Sequence, residues 1–170
     1  MIPTVEFHDL EELTQWIISR TQGERSVIAI DGFTDSGKTT LSAAIAEKTG
    51  LSVLHLDDFV VQQLGDGVFT YADTLNFHAL KTEISKVGSL IVEGVTVREI
   101  LRQLQITQSL DVYVKRLNSE FEWQDALELT IPHPIDAYVS PSKLRVLVRN
   151  YHRANRPHEQ SDAIFSWIEP

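Results

Sequence analysis

The chain has 170 residues, with 15 Lys and Arg against 24 Asp and Glu, a formal charge of −9 and no cysteine. The length suits one compact domain, expected to span residues 1–170; the acidic balance argues against nucleic acid or a membrane surface as a partner. Without thiols there is no disulfide framework, no thiolate metal site and no cysteine nucleophile, which fits a reducing, cytoplasmic setting.

Residues 1–13 include Glu6, Asp9, Glu11 and Glu12 and do not read as a secretory leader. No apolar run approaches the ~20 residues of a membrane span. From there, short β-branched runs alternate with segments of helical period, which predicts βαβ units and a parallel sheet. An opening helix is expected over about Asp9–Arg20, with Asp9 as its cap, Glu12 completing a capping box, and Leu10, Leu13, Trp16 and Ile17 on one face. Five strands are expected, at Ser26–Ile30, Leu51–Leu56, Ser89–Glu93, Leu110–Lys115 and Asp162–Ile168. A second helix runs from Thr40 and stops at Gly50. Gly65-Asp66-Gly67 reads as a turn before a third helix near Asp73–Lys86, ended by Gly88. Pro132, Pro134 and Pro141 predict a loop over 130–141 between two helices.

Between the first strand and its helix stands Gly32-Phe33-Thr34-Asp35-Ser36-Gly37-Lys38-Thr39, the pattern G-x-x-x-x-G-K-[ST], followed by Thr40. Strand before and helix after are the context in which this pattern is a phosphate-binding loop. Its glycines let the backbone curl so that successive N–H groups point inward. Lys38 then reaches the β- and γ-phosphates of ATP, and the Thr39 hydroxyl can ligate Mg²⁺. The helix N-terminus beneath adds its positive dipole end. Asp35 fits beside a triphosphate only if it points to solvent.

Two further strands end in acids. Leu54-His-Leu-Asp57-Asp58-Phe59 delivers two carboxylates to the sheet edge that carries the loop, since ligands sit at the C-terminal ends of parallel strands. A carboxylate there can take the proton of an acceptor hydroxyl and approach the Mg²⁺ shell; the plainer alternative is a helix-capping pair. Only one of Asp57 and Asp58 is expected to be catalytic. Glu93, ending Ser89-Leu-Ile-Val-Glu93-Gly94, is placed to hold Mg²⁺, with capping again the plainer reading. Arg98 starts a helix at the same edge, where it can touch acceptor or phosphate or simply pair with Glu99 or Glu6. The histidines show no metal-ligand spacing. The tryptophans read as packing residues, with Trp123 as an alternative contact to a substrate base.

With these residues in view, the chain resembles the P-loop kinases of the uridine kinase, nicotinamide riboside kinase and phosphoribulokinase family. The resemblance rests on Ile30 to Leu41, on Asp57-Asp58-Phe59, on Tyr71-Ala-Asp-Thr-Leu-Asn-Phe77, on Val92-Glu-Gly-Val95, and on the stretch from Tyr151 through Pro157 to Phe165. It implies a three-layer α/β/α P-loop NTPase fold with a five-stranded parallel sheet in the order 2-3-1-4-5. It also implies that Asp57 is the base and a neighbour of the magnesium ion, that Tyr71 lies on the acceptor side, and that a lid occupies about 117–156. The family's arginine-rich lid is altered here. Residues 117–142 contain no Lys or Arg but carry Glu120, Glu122, Asp125, Glu128 and Asp136, whereas Arg145, Arg149 and Arg153 recur at i, i+4 and i+8 on one helical face. Such a face can stabilise a transferring phosphoryl group or bind an anionic acceptor; equally, it can pair with the acidic stretch.

The reading that joins these features is an ATP-dependent kinase of a small hydroxyl-bearing metabolite. Lys38 and residues 34–39 hold the phosphates, Thr39 and Glu93 hold Mg²⁺, Asp57 activates the acceptor, and Arg149 and Arg153 close over the transfer. A GTPase is disfavoured because no Asn-Lys-x-Asp occurs, and a transporter cassette because no Leu-Ser-Gly-Gly occurs. The alternative is a nucleotide-binding regulatory module without acceptor chemistry. A polar cavity between Asp57, residues 69–76 and Arg98 would favour the kinase, and a filled one the module. The residues name neither the acceptor nor the oligomeric state.

Overall fold

Alternation along the central strands sends successive side chains into two separate cores, and the layering of the protein follows from that. The computed structural model describes residues 4–21, 25–64, 69–107 and 109–168. Its strands are β1 (Val5–Phe7), β2 (Val27–Gly32), β3 (Ser52–His55), β4 (Leu90–Glu93), β5 (Ser109–Leu117) and β6 (Ala163–Ile168). They form one sheet in the order β1-β6-β5-β2-β4-β3, parallel at every pairing. The helices are α1 (Leu10–Thr21), α2 (Lys38–Thr49), α3 (Phe77–Lys86), α4 (Val97–Gln103), α5 (Lys143–Asn155) and α6 (Pro157–Gln160). Val27, Ala29, Leu90 and Val92 pack with Leu80, Ile100 and Val148 of α3, α4 and α5. Ile28, Ile30, Ile91 and Val112 pack with Leu13, Ile17 and Ile45 of α1 and α2 on the other side. Every residue of β2 is buried, as a central parallel strand covered on both faces requires.

All five expected strands are present. Counted in their own order they run 2-3-1-4-5, as the resemblance implies. The sheet has six strands rather than five because the three residues of β1 add to the edge of β6, with Val5 opposite Ala163 and Phe7 opposite Phe165. So short a run, with Glu6 inside it, carries no periodicity to read.

The local stop and start signals differ in how well they mark the helices. At the start of α1 the Glu12 amide donates to Asp9 Oδ1 at 3.0 Å. At the end of α2, Gly50 takes φ 72°, and its N–H reaches the Ala46 carbonyl at 2.8 Å. The third helix starts at Phe77, not Asp73, since the Asp73 carboxylate is used by the amides of Phe69 (3.0 Å) and Thr70 (2.8 Å), while Asn76 Oδ1 caps the helix through Ala79 N (3.0 Å). It ends at Lys86 with Val87, not Gly88, extended at its cap. The turn expected at Gly65–Gly67 lies outside the described residues. Residues 130–141 lie between a 3₁₀ turn at Gln124–Leu129 and α5, with a second 3₁₀ turn at Pro134–Ala137, rather than between two α-helices. Among the described residues no helix is long and apolar enough to cross a membrane.

Candidate active site

The loop from Gly32 to Thr39 leaves the C-terminal end of β2 and enters α2 through Gly37, whose φ is 95°. A side chain at Gly37 would be strained by that angle and would also strike the Trp167 indole, 2.8 Å from an ideal Cβ. Trp167 Nε1 donates to the Ser36 carbonyl at 2.7 Å, so the indole braces the loop from β6. Lys38 is only 7 % exposed and donates to the Phe33 carbonyl at 2.5 Å. Burial lowers its pKa, and the charges of Asp31, Glu93, Asp35 and Asp57 oppose that. Asp35 is exposed, at φ 59°.

A cavity of about 610 Å³ opens over this loop. It gathers Thr34, Asp35, Gly37, Lys38, Thr39 and Thr40 from the loop and helix, together with Asp57 and Glu93 from the ends of the neighbouring strands. Thr39 Oγ1 donates to Glu93 Oε1 at 3.1 Å, and His55 Nδ1 meets the same oxygen at 2.5 Å, which makes Nδ1 the protonated ring nitrogen. Tyr71 donates its hydroxyl to Asp57 Oδ1. Burial, then the Asp57 hydrogen bond and charge, hold the Tyr71 pKa well above the ordinary phenol value, so it stays a donor. Among the described residues no group of three or more His, Cys, Asp or Glu side chains is arranged to hold a metal ion. Mg²⁺ does not need one: it takes one or two protein oxygens and completes its shell with water and phosphate, so the Thr39 hydroxyl and Glu93 carboxylate, with Asp57 nearby, are a chemically fitting set.

The remaining candidates lie elsewhere. Asp58 is exposed beyond Asp57. Arg98 Nε pairs with Asp111 Oδ2 at 3.1 Å, away from the loop cavity. The space between Asp57, residues 69–76 and Arg98 is packed, with Tyr71, Ala72 and Leu75 buried in the same core as Val95, Val97 and Leu101. The arginine face of α5 is turned to the acidic stretch. Arg145 Nε meets Glu128 Oε1 at 3.0 Å, Arg149 Nε meets Glu128 Oε2 at 2.9 Å, Arg149 also binds Asp136, and Arg153 donates to the Glu128 carbonyl at 3.1 Å and to that of Thr130. Arg149 and Arg153 therefore do not line the loop cavity. Arg149 is held instead by the Glu128 and Asp136 carboxylates, and Arg153 by backbone carbonyls of the same stretch.

Three residues of the site carry no signal in the sequence. Asp31, directly before the loop, accepts from Gly32 N at 2.7 Å and from the Tyr151 hydroxyl of α5. Burial pushes its pKa up to about 6 against those hydrogen bonds. Arg116 comes to the cavity from β5, where it stands opposite Trp167 of β6 in the strand register. Trp167 itself reads in sequence as generic packing. Trp123 is half-buried and packs at 6.0 Å on both Phe33 and Tyr113 and at 5.1 Å on His158. Beneath the loop, His152 stacks on Phe33 at 3.7 Å with its pKa lowered by burial to about 3, a neutral core histidine.

No protein-family model matches the sequence, and no curated protein matches it. Among solved structures, a possible uridine kinase from Bacillus stearothermophilus superposes over 92 % of this chain and 96 % of its own, with a TM-score of 0.60 at 18 % identity. A candidate kinase from Chloroflexus aurantiacus, at 17 % identity over 85 % and 88 % of the two chains, has a TM-score of 0.44, too loose to add to that. The fold, with its six parallel strands flanked by helices and its loop at the end of β2, is similar to that of this possible uridine kinase.

Proposed function

We propose that the chain is an ATP- and Mg²⁺-dependent phosphotransferase that moves the γ-phosphoryl group to a hydroxyl of a small metabolite. The convergence of Lys38, Thr39, Glu93 and Asp57 on one cavity of about 610 Å³ carries this reading. Lys38 and the amides of residues 34–39 would bind the phosphates. Thr39 and Glu93 would hold the metal, which would supply charge neutralisation at the phosphates. Asp57, oriented by Tyr71, would accept the hydroxyl proton as the acceptor oxygen bonds to the γ-phosphorus and the bond to the bridging oxygen of ADP breaks. In this reading residues 117–156 form an altered lid over the site.

A second reading, a nucleotide-binding module without acceptor chemistry, is favoured by the packing of Tyr71, Ala72 and Leu75 and by the engagement of Arg149 with Glu128 and Asp136. One measurement tests the loop that both readings share, and a second separates the readings. Mg²⁺-ATP should stabilise the wild type by about 2.7 kcal/mol at a hundredfold excess over Kd, and Lys38→Ala should lose most of that. Equal thermal shifts in both would sink the loop assignment. ADP release stimulated by a hydroxyl-bearing metabolite identifies the kinase, whereas binding with no stimulation by any acceptor identifies the module.

A further inference from the structure

Trp167 grips the loop at a point that the loop's own pattern does not explain. It stands near the end of β6, half-buried against the core made with α1 and α2, and it lines the loop cavity. Its Nε1 donates to the Ser36 carbonyl at 2.7 Å, the short end of the normal range for such a bond. The same ring lies over Gly37, with Nε1, Cε2 and Cζ2 at 2.8–2.9 Å from an ideal Cβ there. The indole can come this close only to a glycine.

That one hydrogen bond orients two groups. The Ser36 carbonyl and the Gly37 N–H belong to one peptide unit, which is planar and trans, so they point in opposite directions. With the carbonyl tied to the indole, the Gly37 N–H faces away from it. Among the described residues this N–H donates to nothing, whereas the Ser36 N–H is already used by the Phe33 carbonyl at 3.3 Å. Glycine takes either sign of φ at little cost, so the Gly37 backbone does not by itself stop this peptide from turning over. Turned over, it would present a carbonyl oxygen to a phosphate in place of an N–H. Ser36 is fully buried, and its carbonyl, deprived of the indole, would have to find another donor.

Resting on the loop assignment above, we propose that Trp167 is a positioning residue: by holding the Ser36 carbonyl outward it presets the Gly37 N–H for the phosphate chain, and it sets phosphate affinity through that peptide rather than through contact with a nucleotide base. The loop is then preorganised from β6, a strand more than a hundred residues away in sequence, as well as from α2.

The probe is inorganic tripolyphosphate with Mg²⁺, which carries the phosphate chain and no base. Trp167→Phe keeps an aromatic ring and loses the N–H, and Trp16→Phe is a matched control in the same core, where Trp16 packs on Phe7 at 5.6 Å. Calorimetric titration should show Trp167→Phe weakening tripolyphosphate and Mg²⁺-ATP by the same factor, about tenfold, with Trp16→Phe within about twofold of wild type. In amide NMR spectra of the wild type the Gly37 signal should move on addition of tripolyphosphate, a measurement that stands even if Trp167→Phe does not fold; in that variant, where folded, the movement at saturation should be smaller. Unchanged affinity in Trp167→Phe, an equal loss in Trp16→Phe, a loss for ATP that spares tripolyphosphate, or a wild-type Gly37 signal that ignores the anion overturns the positioning role and leaves the loop assignment intact. A wild type that binds neither tripolyphosphate nor ATP removes the loop assignment, and the positioning role with it.

Discussion

Lys38 and Arg149 are cations almost equally withdrawn from water, at 7 % and 3 % exposure, but the protein holds them in different ways. Lys38 donates a hydrogen bond to the neutral Phe33 carbonyl, and the carboxylates around it act through space. Arg149 is bound directly to two carboxylates, Glu128 and Asp136. A neutral partner is easily exchanged for a phosphate oxygen. An ion pair shielded from solvent is not, because parting it leaves charges without partners in a poorly solvated place. In the proposed reading the loop side of the molecule is the one that receives a ligand, while the α5 side holds the segment 118–142 against the sheet.

Asp57→Asn tests the loop side most severely. It preserves shape and the hydrogen bond from Tyr71 but removes the proposed base, so transfer to a true acceptor should fall roughly 10²–10⁴-fold while nucleotide affinity and melting temperature change little. Single-turnover transfer alongside calorimetric titration of nucleotide checks both halves of that statement. Survival of transfer in Asp57→Asn with its collapse in Asp58→Asn would exchange the roles of the two acids.

Arg149→Ala makes the complementary demand. Removing it leaves the Glu128 and Asp136 carboxylates without that guanidinium partner, so denaturant unfolding should show a loss of stability larger than that of Arg153→Ala, with the KM for ATP unchanged in whatever fraction remains folded. Arg153, whose partners are carbonyls, should cost about 1 kcal/mol. A fall in kcat without loss of stability in either variant would erase the contrast drawn here and return that arginine to the chemistry.

How far each side could be read from the sequence follows the same division. The loop is a local pattern whose spacing and flanks dictate its geometry, so Thr34, Asp35 and Gly37 to Thr40, and the strand ends at Asp57 and Glu93, reach one cavity as their positions in βαβ units require, while Gly32 and Ser36, also expected to bind, do not line it. The spacing of Arg145, Arg149 and Arg153 fixes a common helical face but not what that face meets. The answer lay in Glu128 and Asp136, 21 and 13 residues from Arg149, in a segment without helical or strand period. Arg116 and Trp167 were invisible for a related reason: each lies on a strand whose position beside the loop is set by sheet order, not by neighbours in sequence. β1 escaped because three residues cannot show a period, and the start of α3 was misread because Asp73 and Asn76 are both good caps and only the fold decides which amides each one finds.

Asp31 is where the two sides touch, since its carboxylate joins the base of the loop, through Gly32 N, to Tyr151 on the arginine helix. Burial raises its pKa from an ordinary 3.8 to about 6. The folded protein thus keeps a proton on Asp31 between about pH 4 and pH 6 that the unfolded chain has already released, and stability falls as pH rises through that window, staying low above it. His152 slopes the other way. Its pKa is lowered to about 3, so the unfolded chain gains a proton below about pH 6.5 that the folded one refuses, and stability falls on acidification. Because the two oppose each other, the wild-type profile alone does not isolate Asp31, but the difference from Asp31→Asn does. Asparagine can accept from Gly32 N and meet the Tyr151 hydroxyl without a buried charge, so relative to wild type the variant should gain stability steadily from about pH 4 to pH 6, by up to about 3 kcal/mol. Denaturant unfolding at a series of pH values measures this. A difference that stays flat across the window would mean that Asp31 is ionised in the fold at all these pH values, held so by Lys38 and its hydrogen bonds, and that the link between loop and arginine helix is a charged one.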